Sequence, residues 1–350
     1  MKFGTYHTYQ VPPWTTPGQV LVDELERVRS AERLGFDSVW VPEQHFFDYC
    51  GCPDALTMVT YLLGQTTRVR VGAAVVNQSL THPLRFVERA SLLDHLGGGR
   101  VDLCIGRGYQ WPQNVVFGVE EATTKARFTE SLDIIQAVWD GGTAGYDGRF
   151  FSFPPVRVFP GARRPADQVL LMSVGGTTPI EETVERGLPL ALASPFYPVE
   201  ATASQFARYV GLLGEADVDA ELFLDRAIVL VYALLAPTSE EARSIAKRPY
   251  EWHMAKLAAL SGGPAEGHEW ASLYASDDDP PEIAEADYAK QTETNLLFDD
   301  PDGFAEKLDV LRSAGVRNVV VWMGVGGVAH EHVLRSMTLF ASEVMPRFTG

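Results

Sequence analysis

The sequence predicts a single (β/α)8 barrel spanning 1–350. Three observations predict it. Short β-rich runs alternate with longer amphipathic ones along the whole chain, and no composition shift marks a linker. The turn after the first strand carries Pro12-Pro13-Trp14, where an open dinucleotide-binding sheet would place a glycine fingerprint.

The elements follow in order. Phe3 to Tyr9 is expected as a strand, Gln19 to Leu34 as a helix stopped by Gly35, Asp37 to Val41 as a strand and Ala55 to Gln65 as a helix. Val69 to Val76 is β-branched and strand-like; Pro83 to Leu96 is a helix closed by Gly97-Gly98-Gly99, and Val101 to Ile105 is the fourth strand. A helix from Thr124 to Trp139 leads into residues 141–165, whose Gly, Pro and aromatic content with Asp147-Gly148 predicts a β-hairpin insertion. Val169 to Val174, Pro189 to Ala193 and Ala227 to Leu235 are strands, each followed by a helix: Pro179 to Arg186, Val199 to Leu213 and Ser239 to Leu260. Residues 261–291 are acidic and rich in breakers, and are expected to form a lid-like loop. A helix from Pro301 to Ala314, a strand from Asn318 to Met323 and a helix from Glu331 to Met345 close the barrel.

Composition limits the functions available. The formal charge of −17, with no Lys/Arg cluster to interrupt it, argues against nucleic-acid and membrane-surface partners. Cys50, Cys52 and Cys104 are odd in number and lack metal-site spacing, so they read as reduced thiols. The start of the chain has no apolar targeting core and no run reaches the ~18 apolar residues of a membrane span, so a cytoplasmic protein is expected. His330-Glu331-His332 is no metal cluster, because at that spacing the imidazoles leave a helix on different sides.

Candidate chemistry falls at the strand ends. Val39-Trp40-Val41 runs into Glu43, Gln44 and His45, the position where parallel barrels place catalytic groups, although an imidazole there also suits a loop hydrogen bond. Gly106-Arg107-Gly108 follows the fourth strand, and its guanidinium suits a phosphate. Gly175, Gly176, Thr177 and Thr178 follow the fifth, with amides and hydroxyls suited to the same anion. Gly324-Val325-Gly326-Gly327 is a rival phosphate loop but supplies no cation. Tyr6, Phe46, Tyr109, Trp111, Ser194, Phe196 and Trp252 are expected to line a largely apolar pocket fit for planar rings.

Read together, Met1-Lys2-Phe3-Gly4, Gly35-Phe36-Asp37-Ser38-Val39-Trp40, Glu43-Gln44-His45-Phe46, Val71-Gly72-Ala73-Ala74, His82-Pro83, Leu92-Leu93-Asp94, Gly106-Arg107-Gly108, Gly187-Leu188-Pro189 and Val344-Met345-Pro346 resemble the bacterial luciferase family of flavin-dependent monooxygenases, the catalytic subunit above all. The resemblance runs in order along nearly the whole chain. It implies a monooxygenase working through a flavin peroxide formed from reduced FMN and O2, with the reduced flavin delivered by a separate NAD(P)H-dependent reductase. The phosphate would lie near Arg107 and 175–178, and a non-proline cis peptide, Ala74–Val75, beneath the flavin. A homodimer through the helices at 55–65 and 83–96 is implied too, and Leu56, Met58, Leu62, Leu63, Phe86, Leu92 and Leu93 offer apolar surface there.

The departures narrow the reaction. Gln44 stands where the family pattern has its catalytic histidine, and Gly106 where luciferase has a cysteine. An amide shuttles no proton near neutral pH, so light emission from an aldehyde is not expected. The substrate is expected to be a small, largely apolar carbonyl or aromatic compound. The alternatives are a deazaflavin-dependent hydride-transfer enzyme and a non-catalytic flavin-binding partner subunit; retained His45 and Arg107 argue against the latter.

Overall fold

Eight parallel strands close a barrel in the computed structural model, which describes residues 1–139, 141–175, 179–193, 196–261 and 280–348. The described strands are β1 (Lys2–Tyr6), β2 (Ser38–Val41), β3 (Arg70–Asn77), β4 (Val101–Gly106), β5 (Thr143–Asp147), β6 (Ser152–Arg157), β7 (Leu170–Val174), β8 (Leu190–Ala193), β9 (Ile228–Leu235), β10 (Leu297–Asp299) and β11 (Asn318–Trp322). The barrel order is β11, β1, β2, β3, β4, β7, β8, β9, and β9 pairs back onto β11. β5 and β6 form the expected antiparallel hairpin outside it. β10 adds to the sheet alongside the C-terminal end of β9, pairing Leu297 with Ala233.

Local chemistry sets the helix ends. Thr16 caps Pro17–Leu34 by accepting the Gln19 N–H, and Gly35, at φ 93°, ends the helix with its N–H on the Ala31 and Glu32 carbonyls. Asp54 caps Ala55–Gln65 through the Thr57 N–H at 3.0 Å and also pairs with Arg89. Removing this cap with Asp54→Ala is expected to cost about 1 kcal/mol in urea unfolding at neutral pH. The Asp54 carboxyl has burial working against its charge, but the Thr57 and Arg89 hydrogen bonds outweigh it and hold it below its usual range. Its contribution is therefore complete above the unfolded-state value and lost as pH falls through the lower folded one. A gap between wild type and Asp54→Ala that does not shrink in acid would contradict this.

The core has two parts. A large cluster lies between barrel and helices, and a separate one, drawn only from barrel strands, fills the interior: Trp40, Cys104, Leu171, Ala191, Ile228 and Val320, with Tyr6, Ala74, Val75 and Leu230 against it. At the N-terminal end Asp102 receives Arg70 twice, at 2.6 Å each, and Arg226 at 2.7 Å. A groove of about 700 Å³ and a cavity of about 290 Å³ lie at this end too, remote from the strand ends that carry chemistry.

Several expectations change. β1 ends at Tyr6, not Tyr9: the chain leaves the sheet there, Tyr9 takes φ 54°, and residues 7–10 stay buried, His7 and Gln10 with polar partners. His7 Nε2 lies 2.8 Å from Thr5 Oγ1 and its Nδ1 2.7 Å from Glu24 Oε2. Of the expected lid-like stretch, residues 262–279 lie outside the described residues, and Glu285–Thr294 is a largely polar helix that buries only Tyr288 and Thr292. Helices Trp111–Val116 and Ala220–Arg226 interrupt expected loops. The last helix runs as His330–Leu339, a π-type turn at Phe340–Val344, and Met345–Phe348.

Candidate active site

The C-terminal ends of β1 to β4 bring most of the described candidates together. Glu43 Oε1 accepts the Asn77 N–H at 3.1 Å, tying the end of β2 to β3. His45 Nε2 lies 3.8 Å from the same oxygen; this nitrogen is buried and has no hydrogen-bond partner among the described residues. The His45 ring sits against Phe46 and edge-on to Phe117, with centroids 5.7 and 5.0 Å away. Phe46 holds φ 75°, unusual for a bulky side chain and of the kind that clusters at functional sites. Its ring is 43% exposed. Gln44 is anchored by its N–H on the Cys52 carbonyl at 3.0 Å; its side-chain Nε2 reaches the Tyr109 hydroxyl at 3.4 Å, while its Oε1 is buried without a partner.

β3 and β4 form the floor and one wall. The Ala74–Val75 peptide is cis, and the Tyr6 hydroxyl donates to the Ala74 carbonyl at 2.5 Å. The β3–β4 register slips between Ala74 and Val76. Gly108 turns the following loop with φ 78°, and a Cβ there would come 2.1 Å from Asn77 Nδ2. Arg107, partly buried, makes no ion pair or hydrogen bond among the described residues. An unpaired guanidinium beside a glycine turn that brings the backbone close to Asn77 fits a flavin phosphate.

The other expected residues divide. Gly175 directly follows β7, while Gly176, Thr177, Thr178 and Ser194 lie outside the described residues. Trp111 and Trp252 are buried: Trp111 Nε1 donates to the Ala259 carbonyl at 3.1 Å, and Trp252 packs near Trp14. Both thus pack helix Ser239–Ser261 onto the strand-end loops, so the open aromatic rim consists of Phe46, Tyr109, Phe117, Phe196 and Tyr197. The rival Gly324–Gly327 loop is packed shut: the Gly326 N–H goes to Gln10 Oε1 at 2.7 Å, and a Cβ there would lie 1.7 Å from the Pro249 carbonyl oxygen.

Sequence reasoning missed a buried relay. Gln10 Nε2 lies 2.9 Å from His253 Nδ1, and His253 Nε2 lies 2.6 Å from the Tyr232 hydroxyl. Burial pushes His253 down to about 3, so it is neutral. The backbone N–H of Gly326 fixes the Gln10 amide, which fixes the imidazole proton on Nε2 and makes the Tyr232 oxygen an acceptor. The partners are 243 and 21 residues apart, and no local pattern announces them.

The luciferase-like monooxygenase family model matches residues 1–330. The alkanal monooxygenase alpha chain of the Kryptophanaron alfredi symbiont is 30% identical over 195 residues, 55% of this chain and 54% of that one. The chain thus aligns with about half the length of that curated relative. Among solved structures, monooxygenase RslO1 from Streptomyces bottropensis superposes with a TM-score of 0.83 at 22% identity over 100% of both chains. An F420-dependent secondary alcohol dehydrogenase gives 0.74 at 16%, covering 100% of this chain and 99% of that one. The oxygenating constituent of 3,6-diketocamphane monooxygenase from Pseudomonas putida, in complex with FMN, gives 0.72 at 17% with the same coverage. With the barrel, the strand-end site and a family match over residues 1–330, the chain belongs to the luciferase-like monooxygenase family.

Proposed function

We propose that this enzyme oxygenates a small, largely apolar carbonyl or aromatic compound with reduced FMN and O2, the reduced flavin coming from a separate NAD(P)H-dependent reductase. The observation that carries the reading is Arg107, without an ion pair or hydrogen bond among the described residues, on its glycine turn next to the cis Ala74–Val75 peptide. Arg107, Gly175 and residues 176–178 would hold the phosphate, and Ala74 and Val75 would support the ring system. Reduced FMN, when bound, supplies the electrons that activate O2. The chain's own part is to orient the substrate, to exclude water with the aromatic rim, and to offer a hydrogen bond or proton from His45. Anaerobic loading with reduced FMN, an oxygen pulse and product mass spectrometry across aldehydes, cyclic ketones and phenols tests this. Flavin binding without any oxygenated product would favour a non-catalytic partner subunit. Hydride transfer with reduced F420 in place of FMN would favour the deazaflavin reading, which the F420-dependent neighbour keeps open and the apolar rim disfavours.

We also propose a homodimer, with a corrected contact surface. Leu56, Leu62, Phe86 and Leu93 face the barrel core and cannot form it. Leu21, Val22, Tyr61, Leu92 and Leu96, on three helices of one side, are exposed by 46–64%. Light scattering at micromolar concentration should give twice the chain mass, and Leu92→Glu with Leu96→Glu should shift it to the monomer. A monomeric wild type refutes the proposal.

A further inference from the structure

We propose that Tyr109 is a second proton-donating group of this site, its hydroxyl hydrogen turned into the pocket because neighbouring side chains donate to its oxygen. The inference rests on the monooxygenase reading above. Tyr109 follows the Gly108 turn and Arg107 directly, so it stands beside the anion site. Its ring is 48% exposed at the rim, while its oxygen lies inward among Gln44, Tyr49 and Gln110. Gln44 Nε2 donates to that oxygen at 3.4 Å. Gln113 Nε2 donates to Gln110 Oε1 at 2.6 Å, and the Gln110 NH2, buried and itself without a hydrogen-bond partner, lies beside Tyr109. The buried Tyr49 hydroxyl faces the same oxygen.

A phenol oxygen has two lone pairs and one proton. When donors occupy the lone pairs, the proton points elsewhere, and the same donors stabilise the phenolate left by its departure. In the step, the Tyr109 O–H bond breaks, the proton passes to an oxygen of the substrate, and the electron pair stays on the phenolate oxygen. Water entering the pocket after product release returns a proton to the phenolate oxygen. Gln44 is then a positioning residue, and the loss of an imidazole there is offset by the phenol it orients. The other titratable groups that act on this oxygen are Tyr6, Tyr49, Tyr232 and Cys50, all neutral near pH 7 because burial raises each of them, Cys50 to about 12.

The test needs no flavin in its first arm. 3-Fluorotyrosine placed at position 109 of the full-length, ligand-free protein is titrated by fluorine NMR, alone and with Gln44→Leu or Tyr49→Phe. Each substitution removes a donor and is expected to lower the ionisation constant roughly tenfold. An unchanged or raised constant overturns the proposal, since Tyr109 would then be giving its proton to those residues. A fluorotyrosine that stays protonated up to alkaline unfolding overturns it too. In the second arm, Tyr109→Phe in the FMN-loaded enzyme is expected to cut product yield at least ~tenfold across the aldehyde, ketone and phenol panel, with FMN affinity kept within about twofold. Full yield overturns the catalytic role. A wild type that binds no FMN sinks the functional reading while leaving the titration result intact.

Discussion

Replacing Arg107 with alanine is expected to weaken FMN binding at least ~tenfold and to leave riboflavin binding unchanged, because a charge-assisted contact of about 1.5–3 kcal/mol disappears only for the ligand that carries a phosphate. The structure gives the reason. Carboxylates outnumber cations, 46 Asp and Glu against 29 Lys and Arg, and many basic side chains near the sheet have partners: Arg70 and Arg226 on Asp102, Arg164 on Asp94, Arg243 on Asp299. Arg107, partly buried at the end of β4, has none among the described residues. A half-buried guanidinium without a counter-ion is a ready partner for an anion that completes the site. Arg107→Lys should fall between wild type and alanine, since an ammonium keeps the charge and loses the bidentate fork. Fluorescence-quenching titrations with the two flavins read the difference directly, and equal losses for both would make Arg107 a structural residue.

Much of this arrangement was legible because barrels tie chemistry to a repeating pattern. β2, β4 and β9 are short apolar runs bounded by turn residues, so their C-terminal ends, and with them Glu43, Gln44, His45 and Arg107, could be placed before any contact was known. Helices with clear caps, such as Ala55–Gln65 and Pro83–Leu96, were found to the residue. Glu285–Thr294 was not, because its polar faces leave no periodic apolar stripe among the surrounding breakers. Apolar content also did not say which side of a helix faces outward: Leu93 is buried and its neighbour Leu92 exposed. The donors around Tyr109 escaped for a different reason. Gln44 and Tyr109 are 65 residues apart, and only the pairing of β2, β3 and β4 side by side brings them together.

His45→Ala is expected to leave FMN affinity within about twofold and to lower product yield ~10²-fold, the lower end of what a general acid contributes. A histidine kept for structure satisfies its ring nitrogens with protein partners, as His253 does with Gln10 and Tyr232, and His7 with Thr5 and Glu24. His45 does not: Nε2 is buried and unpartnered among the described residues, and Glu43 Oε1, at 3.8 Å, is beyond hydrogen-bond range and already accepts the Asn77 N–H. Such a nitrogen is available to a ligand that enters between the ends of β2 and β4. Gln44→His is expected to bring back weak aldehyde oxidation, because it restores the paired imidazoles of the family pattern. The double variant His45→Ala with Tyr109→Phe separates the two donors. If they serve different protons their losses multiply, and if they share one the double loss matches the larger single one. Should His45→Ala instead keep oxygen consumption fully coupled to product while lowering the unfolding midpoint, the imidazole is a packing element between Phe46 and Phe117, and the acid must be sought on Tyr109 alone.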